Sequence, residues 1–391
     1  MPGRRKKLPQ NADSTTAHIQ VVSLRSSFAC YSMSQATPGH DPLASFYTVA
    51  APFVPLLSAK VYTNIRLGPP ILQDLYLALG RIMGLVQTAR SEHEKSDVLV
   101  CSRGLQVLRE TRVSDIDSLT SFLWLGIFLK SFDRVVLGTS THLICETALL
   151  QLRHWYPAVS SHPQMMDPII CLLFIDTVTA FINRRVPIIR YQPQRPGMID
   201  RFAGLCCDLL PSVYDACVVL ATGKDVKGPL DIQAWNDVYE QVIDWEPQVP
   251  QRVMAIFTSN ERTILLTQAY AYRLATLLIL HQARYPADLH CKVRAEYAEE
   301  ILSQVERCLL LVGEPPPHAV LPIFVAAMEL SDRERRNKAL HSLQACRGAS
   351  YYPYMRRLYG MCSEFWSQRD AGGSSDWLTY LEQFHPLNIP I

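Results

Sequence analysis

Residues 114–133 read Ser-Asp-Ile-Asp-Ser-Leu-Thr-Ser-Phe-Leu-Trp-Leu-Gly-Ile-Phe-Leu-Lys-Ser-Phe-Asp. Ser114 and Asp117 open the stretch with the pattern of a capping box, an acid in the first turn meeting the helix dipole. From Leu119 to Leu129 the apolar residues leave no polar face. A helix apolar on every side belongs at the centre of a core. The stretch therefore predicts a large helical domain built around a buried helix.

The neighbouring segments repeat the helical period. Leu72, Leu75, Leu79, Ile82 and Val86 form one stripe over 71–90. Val98, Cys101, Leu105 and Leu108 form another over 96–111. Further helices are expected over 140–154, 167–184, 198–222, 231–244, 261–284, 291–312, 319–330, 333–345, 352–368 and 375–384. Tyr285-Pro286 stops the longest of them. Strand signals are confined to Val186–Tyr191 and a few residues near Val21, without hairpin partners. No fixed repeat period is present, which argues against a regular solenoid. The fold class expected is all-α: an irregular multi-helix superhelical domain over 41–391 behind a disordered basic tail, 1–40. Gly228-Pro229, Pro247 and Pro250 mark a candidate lobe boundary near 223–260.

Composition narrows the function classes. The chain has 391 residues, 48% hydrophobic and 19% charged, which excludes wholesale disorder. Its net charge of +2 is uneven. Residues 1–40 carry five Lys/Arg against one acid, giving +4; the rest carries 33 against 35, giving −2. The body therefore gives no reason at the level of charge to bind nucleic acid. Eleven cysteines without a C-x2-C pair read as reduced, mostly buried thiols. No N-glycosylation acceptor occurs. Pro42–Ala59 is uncharged but contains two prolines and several polar residues, so it reads as a buried, proline-bent helix. Thr263–Leu280 carries Arg273 at its middle and reads as a core helix. No membrane association is expected.

Phosphate-loop, dinucleotide, nucleophile-elbow and H-E-x-x-H motifs are absent from the sequence. Gly223-Lys224 reads as a solvated turn. His281, His290 and Cys291 come closest to ligand spacing, but zinc needs about four converging ligands; they read as polar residues at an interhelix turn. Cys206, Cys207 and Cys217 read as core thiols on an apolar helix. Asn236, Glu240 and Asp244 share a helical face, and with Asp237 they superficially resemble one magnesium motif of terpene synthases. The aspartate-rich partner motif is missing, and the face reads as solvated. Glu296, Glu299 and Glu300 read as an outer face, and Asp332–Arg336 as a solvated helix start. No catalytic, cofactor-binding or metal-binding residue is assigned, and no cofactor. Arg4, Arg5, Lys6 and Lys7 form a compact basic cluster of the kind used for nuclear import.

Several segments in order resemble the fungal-specific transcription factor domain, the helical regulatory region of zinc binuclear-cluster regulators. Leu321-Pro322-Ile323-Phe324-Val325-Ala326-Ala327-Met328-Glu329, followed by Asp332, Arg335 and Arg336, is similar to that family's W-P-L-F-x-A-G-x-E-A segment and its sequel. Asp176, Phe181, Arg184, Arg185 and Pro187 resemble its middle segment. Tyr270–Arg284 resembles its long helix, and Trp366 with Trp377-Leu378 its ending. The six-cysteine cluster has no counterpart in residues 1–40, which hold only Cys30. The resemblance implies a nuclear transcriptional regulator of metabolic or secondary-metabolite genes. Either it acts through protein partners (a second copy, or a DNA-binding regulator), or a zinc-cluster exon is missing from its start. A small-molecule effector fits the resemblance; sequence-specific DNA binding by this chain alone does not. The alternatives are an all-α terpene-synthase-type enzyme and a helical scaffold without a transcriptional role.

Overall fold

Prolines begin the first described helices rather than bend them. Pro52 lies in a short 3-10 helix (Ala51–Phe53) and Pro55 in the first turn of α1 (Val54–Leu67). Pro70 opens α2 (Pro70–Ile82). In a first turn the missing N–H breaks no hydrogen bond, and the fixed φ suits the helix. The bent helix expected over 42–59 is thus, in its described part, a turn, a 3-10 helix and the start of α1. The computed structural model describes residues 47–83, 90–136, 141–162, 165–193, 197–225, 231–249, 255–285, 291–346 and 353–383. The expected tail, with Arg4–Lys7, lies outside them.

Next come α3 (Arg90–Glu110), α4 (Ile116–Val136), α5 (Thr141–Val159) and α6 (Met166–Ile182). α4 packs on α2, α3, α5 and α6, as its all-round apolarity predicts. Every residue from Phe122 to Val135 is buried in α4, and every residue from Asp167 to Ile182 in α6. The cap of α4 sits one residue later than expected. Asp115 accepts from the Ser118 N–H (2.8 Å), and the Ser118 hydroxyl accepts from the Asp115 N–H (3.2 Å). The helix expected over 198–222 is shorter. The Asp200 side chain accepts from the N–H groups of Phe202 and Ala203, and Gly204 adopts φ +60°. These close a turn before a 3-10 helix (Leu205–Leu209) and α7 (Leu210–Asp225). A side chain at Gly204 would be strained and would meet Gln268 Oε1 at 2.4 Å.

The carboxy-terminal part holds α8 (Ile232–Asp244), α9 (Ser259–Arg284), α10 (Cys291–Val312), α11 (Val320–Glu329), α12 (Arg333–Ala345), α13 (Pro353–Asp370) and α14 (Trp377–Gln383). Thr258 and Glu261 form a capping box that starts α9. α9 packs on α8, α10, α11 and the 3-10 helix before α7. Buried apolar side chains form one continuous cluster from Tyr47 to Leu381. Among the described residues there is no strand; an isolated bridge joins Asp200 and Gly204, and Val186–Tyr191 is irregular chain. The protein is an irregular multi-helix, all-α superhelical fold.

By length and composition, Leu205–Thr222 and Ser259–Arg284 are apolar enough to cross a membrane. Of their apolar windows, 61% and 67% are buried inside the protein. Such burial is what core helices require.

Candidate functional site

Because α4 has no solvent face at its centre, its polar residues point into the protein. Lys130 is fully buried. Its Nζ lies 5.5 Å from the centroid of the Phe202 ring and has no hydrogen-bond partner among the described residues. Burial pushes its pKa down, and the charge of nearby Arg134 adds to that. Thiolates at Cys171 and Cys145 would pull the other way, but both groups are protonated at neutral pH. Burial raises the Cys171 thiol to about 12 and the Cys145 thiol further. One turn along, Arg134 donates to the Tyr354 hydroxyl from Nε (3.2 Å) and Nη2 (3.0 Å), joining α4 to α13.

Phe202 is held from both sides. Its ring stacks on His318 at 4.1 Å and meets Phe174 edge-on at 5.8 Å. His318 adopts φ +59°, a conformation that costs a non-glycine residue about 1–3 kcal/mol. Two side chains of α9 fix it there: the Tyr272 hydroxyl donates to the His318 carbonyl (2.6 Å), and Gln268 Nε2 to the Pro317 carbonyl (3.2 Å). A small chamber lies on each side of the stack. One, of about 10 Å³, is lined by Trp124, Ile127, Cys171, Asp200 and Phe202. The other, of about 30 Å³, is lined by Arg134, Pro316, His318, Val320 and Cys346. Volumes of this size admit water and nothing larger. The Trp124 indole N–H is also buried without a partner among the described residues.

Asp200 borders the first chamber. Burial raises its carboxyl to about 6, although the Phe202 and Ala203 N–H groups pull the other way. A folded pKa above the unfolded value means the folded state binds more protons between about pH 4 and 6. This contribution to stability is therefore lost as pH rises through that window, by about 3 kcal/mol in all. Asp200→Asn can accept the same two N–H bonds without titrating. Urea unfolding at pH 4.5 and pH 7 should show the variant gaining on the wild type as pH rises. Parallel behaviour at both pH values would show that Asp200 titrates normally.

The residues singled out in the sequence do not converge on a catalytic site. His281 is buried beside the rings of Tyr285 (4.9 Å) and Tyr297 (6.4 Å). Cys291 is exposed at the start of α10, and His290 lies outside the described residues. Asn236 accepts from Arg284 Nη1 at 2.7 Å, while Glu240 and Asp244 are exposed. Glu299 pairs with Arg335, and Glu300 accepts from Gln304 at 2.8 Å. Cys206 and Cys207 are buried on the 3-10 helix, Cys217 on α7. Gly223 and Lys224 belong to the last turns of α7, not to a loop. Among the described residues no three His, Cys, Asp or Glu side chains group to hold a metal. Lys130 went unread in the sequence. The signal was a lysine inside a helix that has no exposed face.

The segment with the family resemblance is structural. α11 is buried from Val320 to Met328, so its last carbonyls need protein donors. Trp366 Nε1 donates to the Ala327 carbonyl (3.0 Å). Arg369 reaches the carbonyls of Met328, Glu329 and Leu330, and Arg336 Nε that of Leu330 (3.0 Å). Arg336 also grips Asp370, with Nη2 at 2.6 Å from Oδ1. It is buried, contrary to the solvated helix start expected, because it caps α11. Asp332 is the exposed cap of α12, accepting from the Arg335 N–H. The Glu329 carboxylate forms an ion pair with Arg294 (3.2 Å from Nε) and accepts a hydrogen bond from Trp377 Nε1 (2.6 Å). In the middle segment, Arg185 pairs with buried Asp176 (3.1 Å), which also accepts from the Ile188 N–H. Arg184, at φ +48°, reaches Glu382 on α14.

The sequence model of one family, described as the fungal specific transcription factor domain, matches residues 230–389. The match takes in α8 to α14, the later part of the span over which the resemblance was expected. No curated protein and no solved structure matches the chain. The buried α11 segment and its arginine and tryptophan caps fall within the matched residues, so the carboxy-terminal region of this chain, 230–389, is similar to the fungal specific transcription factor domain.

Proposed function

We propose that the chain is a nuclear transcriptional regulator that acts through protein partners and responds to a small effector. The family match over 230–389 carries this reading. The structure is consistent with it: the residues of the resemblance hold helices together, and the polar groups singled out for chemistry do not converge. No catalytic role is proposed. The 391 residues contain no C-x2-C pair from which a zinc cluster is built, so DNA contact would come from outside them: from a second copy, from a separate DNA-binding protein, or from a zinc-cluster segment preceding them. A metabolic or secondary-metabolite gene set is the target class implied by the family resemblance.

The test joins location to activity. The full chain is fused to a fluorescent protein and, separately, to an unrelated DNA-binding domain upstream of a reporter. The reading expects nuclear fluorescence, and a reporter output that differs from that of the binding domain alone. Replacing Arg4, Arg5, Lys6 and Lys7 by alanine should move the first fusion to the cytoplasm. A fusion that is cytoplasmic with or without those residues, and an unchanged reporter, would favour a scaffold without a transcriptional role.

A further inference from the structure

A buried ammonium without a partner is among the most costly groups a fold can keep. Lys130 is such a group: its Nζ lies 5.5 Å from the Phe202 ring, which lines a chamber together with Trp124, whose indole N–H is a second donor without a partner among the described residues. We propose that Lys130 and Trp124 form the donor set of a binding site for a small organic monocarboxylate with an apolar body, admitted when the Phe202 ring swings aside.

The ligand class follows from what the site lacks. An ammonium and an indole N–H donate and do not accept, so the occupant must bring lone pairs. Among the described residues beside Phe202, Lys130 is a cation without an acceptor. Arg201 is committed to Asp167 (2.9 Å), and Arg134 to Tyr354. One cation suits a carboxylate better than a phosphate dianion. The acids at the chamber are already served: Asp167 by Lys60 and Arg201, Asp200 by the Phe202 and Ala203 N–H groups. The remaining wall is apolar, with Leu57, Ile127, Cys171 and Phe202, and fits a hydrocarbon or aromatic body.

Entry requires movement, since the closed chamber holds at most one water. Phe202 is suited to move. It sits on the tight turn from Asp200 to Gly204, and its stacking partner His318 is held in a strained left-handed conformation. Displacing the ring breaks its contacts with His318 and Phe174. The occupant would couple α4 and α6 to the turn that leads into α11, within the family-matched region.

This inference deepens the effector part of the proposed function. A binding assay on the purified full chain succeeds or fails whether or not the chain acts on transcription. The probes are phenylacetate and octanoate, each compared with its neutral amide, with thermal unfolding and tryptophan fluorescence as readouts at pH 7. Both acids should raise the unfolding midpoint in a concentration-dependent way, and each amide should bind about tenfold more weakly, as expected for a charge-assisted contact. Lys130→Met should abolish the difference between acid and amide. Trp124→Phe, which keeps the ring and removes most of the donor function, should weaken the acids while leaving Lys130 in place. No response to either acid at millimolar concentration would overturn the proposal. So would equal responses to acid and amide in the wild type, or an acid response in Lys130→Met that still exceeds that of the amide.

Discussion

Lys130→Met stabilises the protein. Methionine fills nearly the same volume with a flexible apolar chain and removes an ammonium that finds no hydrogen bond in the interior. Replacing buried charge by well-packed apolar side chains gains about 1–4 kcal/mol in favourable cases. Lys130 is a favourable case, because nothing is left unpaired when it goes. Among the described residues its cation–π contact with the Phe202 ring at 5.5 Å is lost, worth about 1–2 kcal/mol in a dry site. The pH dependence separates this account from simple repacking. The folded pKa of Lys130 is depressed, so the unfolded chain binds more protons in the alkaline window below the ordinary lysine value. Wild-type stability from this group is present above that window and is lost as pH falls through it. The advantage of Lys130→Met should therefore be large at pH 7 and shrink toward pH 10. Urea unfolding of both proteins across that range measures it, and a constant advantage would mean that charge is not the cause.

The fold was legible wherever the signal was local. The apolar run from Leu119 to Leu129 placed α4 at the centre, and the periodic stripes located most of the other helices. Boundaries failed where side chains compete with the backbone. Asp200 pulls in two N–H groups and ends the expected helix before it starts; Asp115 rather than Ser114 caps α4. Partners distant in sequence were not legible. Arg336 lies in the run Arg-Glu-Arg-Arg, which reads as solvent-facing, yet its carboxylate partner is 34 residues away and its carbonyl partner belongs to another helix. The candidate site shows the same limit. A lysine in an apolar helix was visible at position 130, but its isolation depends on Phe202, Cys145 and Cys171, which only the fold brings near. The resemblance was legible through α11, and its meaning came from the end of that helix.

That meaning can be tested at Glu329. The carboxylate is nearly buried between Arg294, which has 1% side-chain exposure, and the Trp377 indole. Burial raises its pKa even though both partners favour the charged form, so the ion pair does not by itself offset the cost of its own desolvation. A buried pair in that balance is worth little intact and is costly to break. Glu329→Ala leaves the Arg294 guanidinium without its counter-charge and the Trp377 N–H without an acceptor, and should lose about 3–5 kcal/mol. Glu329→Gln still accepts from Trp377 and should lose less. The double variant Arg294→Met with Glu329→Leu removes both charges and should recover most of the loss. A double-mutant cycle in urea completes the test, with a coupling energy of about 1–3 kcal/mol expected for groups in direct contact. Additive losses would mean that α11 is held by its carbonyl caps alone, with Trp366, Arg369 and Arg336 sufficient. Strong coupling would identify Glu329 as the charge around which α10, α11 and α14 are assembled, which gives the glutamate of the family segment a physical role.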